Sequence, residues 1–238
     1  MVSGGGRGMW FLRGAARESK LKSTTVEIPE RKFLVETDEA DPLKFYYIPG
    51  VRYFYVKRFE MVVAELMSSR VGRLLDVGFG SGVLLPSVSR LADSVYGVDV
   101  HEKVQDVRRL LESSGVSAFL VQGSALEIPF VTGSFDTLVS VSVLEHIKEV
   151  GSAAGEVSRV LKSSGRAVIG FPVKNILTTA AIGMLGMNLS TTVDERHPSS
   201  HTDILAALRR SFAEVSIRWF PAFVPLDLSL YCVASCKK

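Results

Sequence analysis

The run Leu74-Leu75-Asp76-Val77-Gly78-Phe79-Gly80-Ser81-Gly82 places three glycines at alternate positions directly after an apolar stretch. Glycine reaches backbone angles that a Cβ forbids, and it lets a ligand approach the main chain. A helix starting beyond the glycines offers unpaired N–H groups to an anion. The chemistry expected is therefore the holding of an anionic cofactor group. Asp99 stands 21 residues after Gly78, closing Tyr96-Gly97-Val98-Asp99, where a doubly wound sheet holds the hydroxyls of a ribose. Glycines at 78, 80 and 82 form G-x-G-x-G rather than G-x-G-x-x-G. That spacing disfavours a nicotinamide cofactor, and with it an oxidoreductase.

These residues need a sheet edge to hold them, and the chain has the rhythm of one. From Arg73 onward short apolar runs alternate with amphipathic stretches, as in a parallel sheet covered by helices on both faces. Strands are predicted over 74–77, 94–98, 118–122, 137–141 and 166–171, with helices over 82–92, 104–113 and 153–162. Pro86 is tolerable near a helix start, and Gly165 reads as the stop of the third helix. After a helix over 203–212, strands over 214–220 and 228–236 are separated by a short link holding Pro221 and Pro225. So short a link predicts an antiparallel hairpin. An aromatic-rich helix within 50–69 should pack beside the first strand, whereas residues 25–49 give no clear element. The fold class expected is α/β: a Rossmann-like, doubly wound seven-stranded sheet, mostly parallel, with an antiparallel C-terminal hairpin.

From about Arg73 to Phe171 the motifs follow one another in unbroken order. After the glycine loop and Asp99 come Gly123-Ser124-Ala125-Leu126-Glu127-Ile128-Pro129-Phe130, Ser134-Phe135-Asp136-Thr137-Leu138-Val139-Ser140, Val143-Leu144-Glu145-His146-Ile147 and Arg159-Val160-Leu161-Lys162-Ser163-Ser164-Gly165. In this the chain resembles the class I S-adenosylmethionine-dependent methyltransferases, particularly the broad group that includes quinone-biosynthesis enzymes. The resemblance implies S-adenosylmethionine as cofactor, with Asp76, Gly78, Phe79, Gly80, Asp99, Val100, Ser124, Ala125 and Ser142 lining its site. The family often has an aspartate at the position of Ser124. A neutral hydroxyl there weakens one hydrogen bond, by about 0.5–1.5 kcal/mol, without abolishing binding.

Methyl transfer needs a nucleophile aligned with the cofactor's methyl–sulfur bond and water excluded. A hydroxyl nucleophile also needs a base. His146, just past the fourth strand, is the leading candidate. His197 follows because related enzymes often place a histidine there, with His201 behind it; each has loop-fixing as its alternative role. Glu145 reads as a structural or helix-start charge. No cluster of carboxylates or histidines along the chain suggests a metal. The family's Asn/Asp-Pro-Pro-Tyr amine-methylation signature is absent, since this chain has Ser140-Val141-Ser142-Val143. An oxygen or carbon acceptor is favoured. The apolar, methionine-bearing stretch within 174–200 is expected to cap a small, largely apolar acceptor. A non-catalytic S-adenosylmethionine-binding or regulatory module is the alternative reading.

Formal net charge is +3, and the first 25 residues hold five bases against one acid, leaving the remainder at −1. No broad nucleic-acid-binding face is expected from that balance. Residues 1–24 read as a flexible basic extension, and 25–238 as a single methyltransferase domain. No stretch approaches the roughly 20 apolar residues of a membrane span, although Met9, Trp10, Phe11 and Leu12 among the bases leave room for peripheral contact. Cys232 and Cys236 read as buried apolar residues on a strand, which fits a reducing, cytoplasmic compartment. Oligomeric state is not legible.

Overall fold

The structure, a computed structural model, describes residues 26–37, 41–175, 178 and 197–238. The expected extension 1–24, and 176, 177 and 179–196 within the expected cap, lie outside the described residues.

One seven-stranded sheet organises the chain, formed by β1 (Arg73–Val77), β2 (Ser94–Asp99), β3 (Phe119–Gln122), β4 (Phe135–Val141), β5 (Leu161–Pro172), β6 (Glu214–Phe220) and β7 (Tyr231–Lys237). Their order across the sheet is β3-β2-β1-β4-β5-β7-β6. The first five strands pair in parallel, and β7 runs antiparallel between β5 and β6. The helices are α1 (Val51–Leu66), α2 (Leu85–Ser89), α3 (Val104–Ser113), α4 (Val150–Val160) and α5 (His201–Ser211).

Residues alternate between two cores. Leu75, Val77, Leu138, Ala167, Ile169, Phe171, Cys232, Ala234 and Cys236 face α4 and α5. Their neighbours Leu74, Val139, Val168, Tyr231 and Val233 face α1, α2, α3 and the N-terminal segment. Helices on both faces explain why the strands read as near-continuous apolar runs. Both cysteines are buried free thiols, and burial pushes each up to about 12.

Several boundaries differ from expectation, each for a local reason. The helix expected over 82–92 is only α2, because Gly82 takes a left-handed φ of 78° and Pro86 has to lie in the first turn. The helix expected over 153–162 runs earlier, ending at Val160 rather than near Gly165. Leu161 turns extended to pair with Phe135, and both are fully buried; strand pairing outweighs the glycine stop. β7 begins at Tyr231, opposite Phe220 and Pro172, since Leu226–Leu228 forms a 3-10 turn. Helix α1 lies nearest β4, β5 and β7 rather than beside β1. Within 26–49 two 3-10 turns appear, Arg31–Phe33 and Pro42–Tyr47, the second capped by Asp41, which accepts from Leu43 N at 3.0 Å.

Candidate cofactor and acceptor site

Strand order reverses between the parallel neighbours β1 and β4, the switch point outside whose C-terminal ends open α/β sheets hold ligands in a crevice. Gly78, next after β1, has φ 81° and donates its N–H to Val98 O at 2.8 Å. A Cβ at Gly78 would strike the Val143 side chain, just past β4. Gly80, φ 51°, donates its N–H to Asp99 Oδ2 at 2.7 Å, and a Cβ there would meet nothing within 4 Å. The loop thus shows bare main chain beside a carboxylate. His101, which the sequence reading passed over, braces it with a ring nitrogen 3.1 Å from Gly80 O and its ring edge-on to Phe79.

The remaining expected cofactor residues spread along this edge in different roles. Asp76 is buried at the end of β1, and desolvation, followed by the charge of Asp99, raises its carboxyl to about 8. Phe79 is buried as part of the core that faces α1, α2 and α3, its ring edge-on to His101. Val100 is 63% exposed beyond β2. Ser124 Oγ accepts from Leu126 N at 3.1 Å, closing the turn that carries the buried Ala125. That loop is held from α4: Glu156 accepts from Ile128 N at 2.8 Å, and Arg159 donates to Ile128 O and Phe130 O, both at 2.9 Å.

Ser142 lies at the crevice with φ 59°, a left-handed value for a residue with a Cβ, where strain of about 1–3 kcal/mol is tolerated at functional sites. Its Oγ accepts from Arg58 Nη1 at 2.9 Å and lies 3.0 Å from Tyr231 OH. Arg58 is the residue that sequence reasoning missed, hidden among the hydrophobic positions of α1. It is buried, donates to Tyr46 OH at 3.1 Å, and its Nε has no partner among the described residues. Tyr55, Tyr231, Phe54 and Phe59 surround its guanidinium at 4.2–5.9 Å from their ring centroids. Burial pushes the Tyr46 phenol up to about 12, so that hydroxyl stays protonated. Among the described residues no carboxylate lies in ion-pair contact with Arg58, and a buried cation so placed is costly without an anion. Of the aromatic residues at 45–47 and 53–55, Tyr46, Phe54 and Tyr55 thus enclose this charge, whereas Tyr47 and Tyr53 are exposed.

His146 and His197 come together. Past β4, a 3-10 turn over Leu144–His146 is fastened to the segment before α5 by Ser199, which donates N–H to Glu145 O at 3.3 Å and Oγ to Ile147 O at 2.7 Å. The two imidazoles meet with centroids 4.7 Å apart, and Glu145 joins them, with ligand atoms of all three within 4.8 Å. Glu145 is not a surface charge: it is 2% exposed, and desolvation raises its carboxyl to about 7. No spacing rule could have assembled this trio from residues 145, 146 and 197. His201 stands apart, buried at the start of α5 with Nε2 3.1 Å from Asp227 Oδ1.

Residues 75–169 match the model of a family described as a methyltransferase domain. Over that stretch the chain is similar to the family. Similar proteins include a phosphatidylethanolamine N-methyltransferase of Cereibacter sphaeroides, 33% identical over 44% of this chain and 53% of that protein. A ubiquinone biosynthesis O-methyltransferase of Bradyrhizobium sp. is 29% identical over 65% of this chain and 59% of that protein. The chain thus spans little more than half the length of these curated relatives. The fold is also that of the [4+2]-cyclase SpnF, with TM-score 0.61 at 19% identity over 76% of this chain and 80% of that one.

S-adenosylmethionine, which the sequence resemblance implies, fits this donor set. Asp99 offers a carboxylate to ribose hydroxyls, the open main chain at Gly80 admits close approach, and Arg58 with Ser142 suits a carboxylate. Buried Asp76 offers an acceptor for an ammonium group.

Proposed function

We propose that this chain is an S-adenosylmethionine-dependent methyltransferase acting on an oxygen or carbon nucleophile of a small, largely apolar acceptor. One observation carries the reading: beyond the C-terminal ends of β1, β2 and β4, Asp99 beside the Gly80 main chain suits the ribose hydroxyls of a nucleoside, and the buried Arg58–Ser142 pair suits the carboxylate of an attached amino acid. The cofactor supplies a methyl group already activated by a sulfonium. What the chain contributes is position and exclusion of water, worth several kcal/mol of barrier. Asp99, Ser124, Ala125 and Val100 hold the nucleoside, Gly78 and Gly80 let it approach the loop, and Asp76, Ser142 and Arg58 hold the amino-acid end. For a hydroxyl acceptor, the proton falls to the His146–His197 pair.

Residues 174–200 cap the acceptor in this reading. Support comes from the flanks: Asn175 Nδ2 donates to Ser229 O at 2.7 Å beyond β5, and Ser199 is fastened beside Glu145. Both anchors lie at the edge that carries the histidines. Residues 25–238 are one functional domain with 1–24 as an extension. Among the described residues no helix is long and apolar enough to cross a membrane. The buried thiols of Cys232 and Cys236 support a reducing compartment, the cytoplasm.

Isothermal titration with S-adenosylmethionine and S-adenosylhomocysteine tests the assignment. Both bind the intact protein, and Asp99→Ala loses ~1.5–3 kcal/mol, roughly tenfold to a hundredfold in Kd. No binding by the intact protein overturns the cofactor; binding without acceptor-dependent S-adenosylhomocysteine formation across a panel of apolar phenols and enols overturns the catalytic part.

A further inference from the structure

We propose that Glu145, His146 and His197 form a binding site for one divalent transition-metal cation, to which the hydroxyl of the methyl acceptor adds as a further ligand. Two imidazoles and a carboxylate are the donor set that zinc and non-haem iron take, with positions left open for water or substrate. Ligand atoms from all three residues lie within 4.8 Å of one another. Tetrahedral ligands at ~2.1 Å from a metal stand ~3.4 Å apart, so rotations of the side chains close the set without moving the main chain.

A second observation points the same way. Glu145 is 2% exposed and its Oε2, inaccessible to solvent, has no hydrogen-bond partner among the described residues. A buried carboxylate oxygen left so is costly, and a cation beside it removes that cost. The site is also built from two distant stretches, the turn after β4 and the strip before α5, tied by Ser199 to the turn residues Glu145 and Ile147. His146 is exposed and His197 half-buried, so an ion and an acceptor have a path from solvent.

The role, though not the binding, rests on the methyl-transfer reading. Coordination lowers the pKa of the acceptor hydroxyl, and its proton leaves to solvent. The oxygen then forms its bond to the methyl carbon as the carbon–sulfur bond breaks, the electron pair staying on sulfur and cancelling the sulfonium charge. With the cation bound, the histidines serve as ligands, and the lowered hydroxyl pKa lets water take the proton in place of a side-chain base.

The test uses tag-free full-length protein stripped with a chelator and titrated with Zn²⁺ against a chromophoric chelator, then with Co²⁺, whose visible absorption reports its ligands. One ion binds per chain. His197→Ala and His146→Ala, which lie outside the core, each weaken Zn²⁺ at least tenfold and change the Co²⁺ spectrum, and Glu145→Gln does the same. Absence of binding, or affinity and spectrum unchanged in both histidine variants, overturns the proposal. S-adenosylhomocysteine titrations run on the same stripped protein separate the two readings: lost cofactor binding with Zn²⁺ retained defeats only the methyl-transfer reading, and the reverse defeats only the cation site.

Discussion

Asp76 shows how a residue's chemistry depends on its place. An aspartate with its carboxyl at about 8 stays largely neutral in the folded protein at pH 7, mainly through desolvation and then through the charge of Asp99. In the unfolded chain it ionises near 4. Between those values the unfolded state has released a proton that the folded state keeps, so this residue's contribution destabilises the fold increasingly as pH rises from about 4 to about 8. Asp76→Asn is therefore expected to raise stability by ~1–3 kcal/mol at pH 7.5 and to give little gain at pH 4, read as urea midpoints at both pH values. An equal gain at both would show that the effect is packing and not ionisation. Arg58 makes the complementary point: nothing in the sequence of α1 marks it, yet packing buries it with its guanidinium on Ser142.

Among the elements, the loop over Gly123–Phe130 depends on a helix that contributes nothing else to the nucleoside end. Helix α4 projects Glu156 and Arg159, which bond to each other at 2.6–2.8 Å and to the loop's main chain at Ile128 and Phe130. The guanidinium holds the Glu156 carboxyl below its ordinary range, so the clamp stays ionised at neutral pH. Arg159→Ala frees carbonyls in the loop that presents Ser124 and Ala125. The expected result is S-adenosylhomocysteine affinity reduced about three- to thirtyfold, in line with charge-assisted bonds of ~1–2 kcal/mol in net effect. Unchanged affinity in calorimetry would mean that the loop holds its shape without the clamp.

On the scale of the whole molecule, a two-faced core fixes the sheet, and the Gly80–Asp99, Arg58–Ser142 and Glu145–His146–His197 groups sit beyond the C-terminal ends of its parallel strands. If the segment between Asn175 and Ser199 covers that edge, replacing 180–194 by a short Gly/Ser linker leaves S-adenosylhomocysteine binding intact but weakens an apolar acceptor at least tenfold. Equal acceptor affinity in the two proteins would remove the cap from the account. Much of this architecture was legible beforehand, because it rests on local signals: alternating apolar runs, a glycine loop, an aspartate one strand later and a short proline-bearing link to a final hairpin. Gly82 and Pro86 delaying a helix, and Leu161 leaving one to pair with Phe135, were not legible, because there local propensity yields to backbone angle and strand pairing. The Arg58–Ser142 and Glu145–His146–His197 groupings belong to tertiary structure alone. They join residues 84 and 51 or more positions apart in the chain, and only burial decides that one becomes a caged cation and the other a buried carboxylate facing two imidazoles.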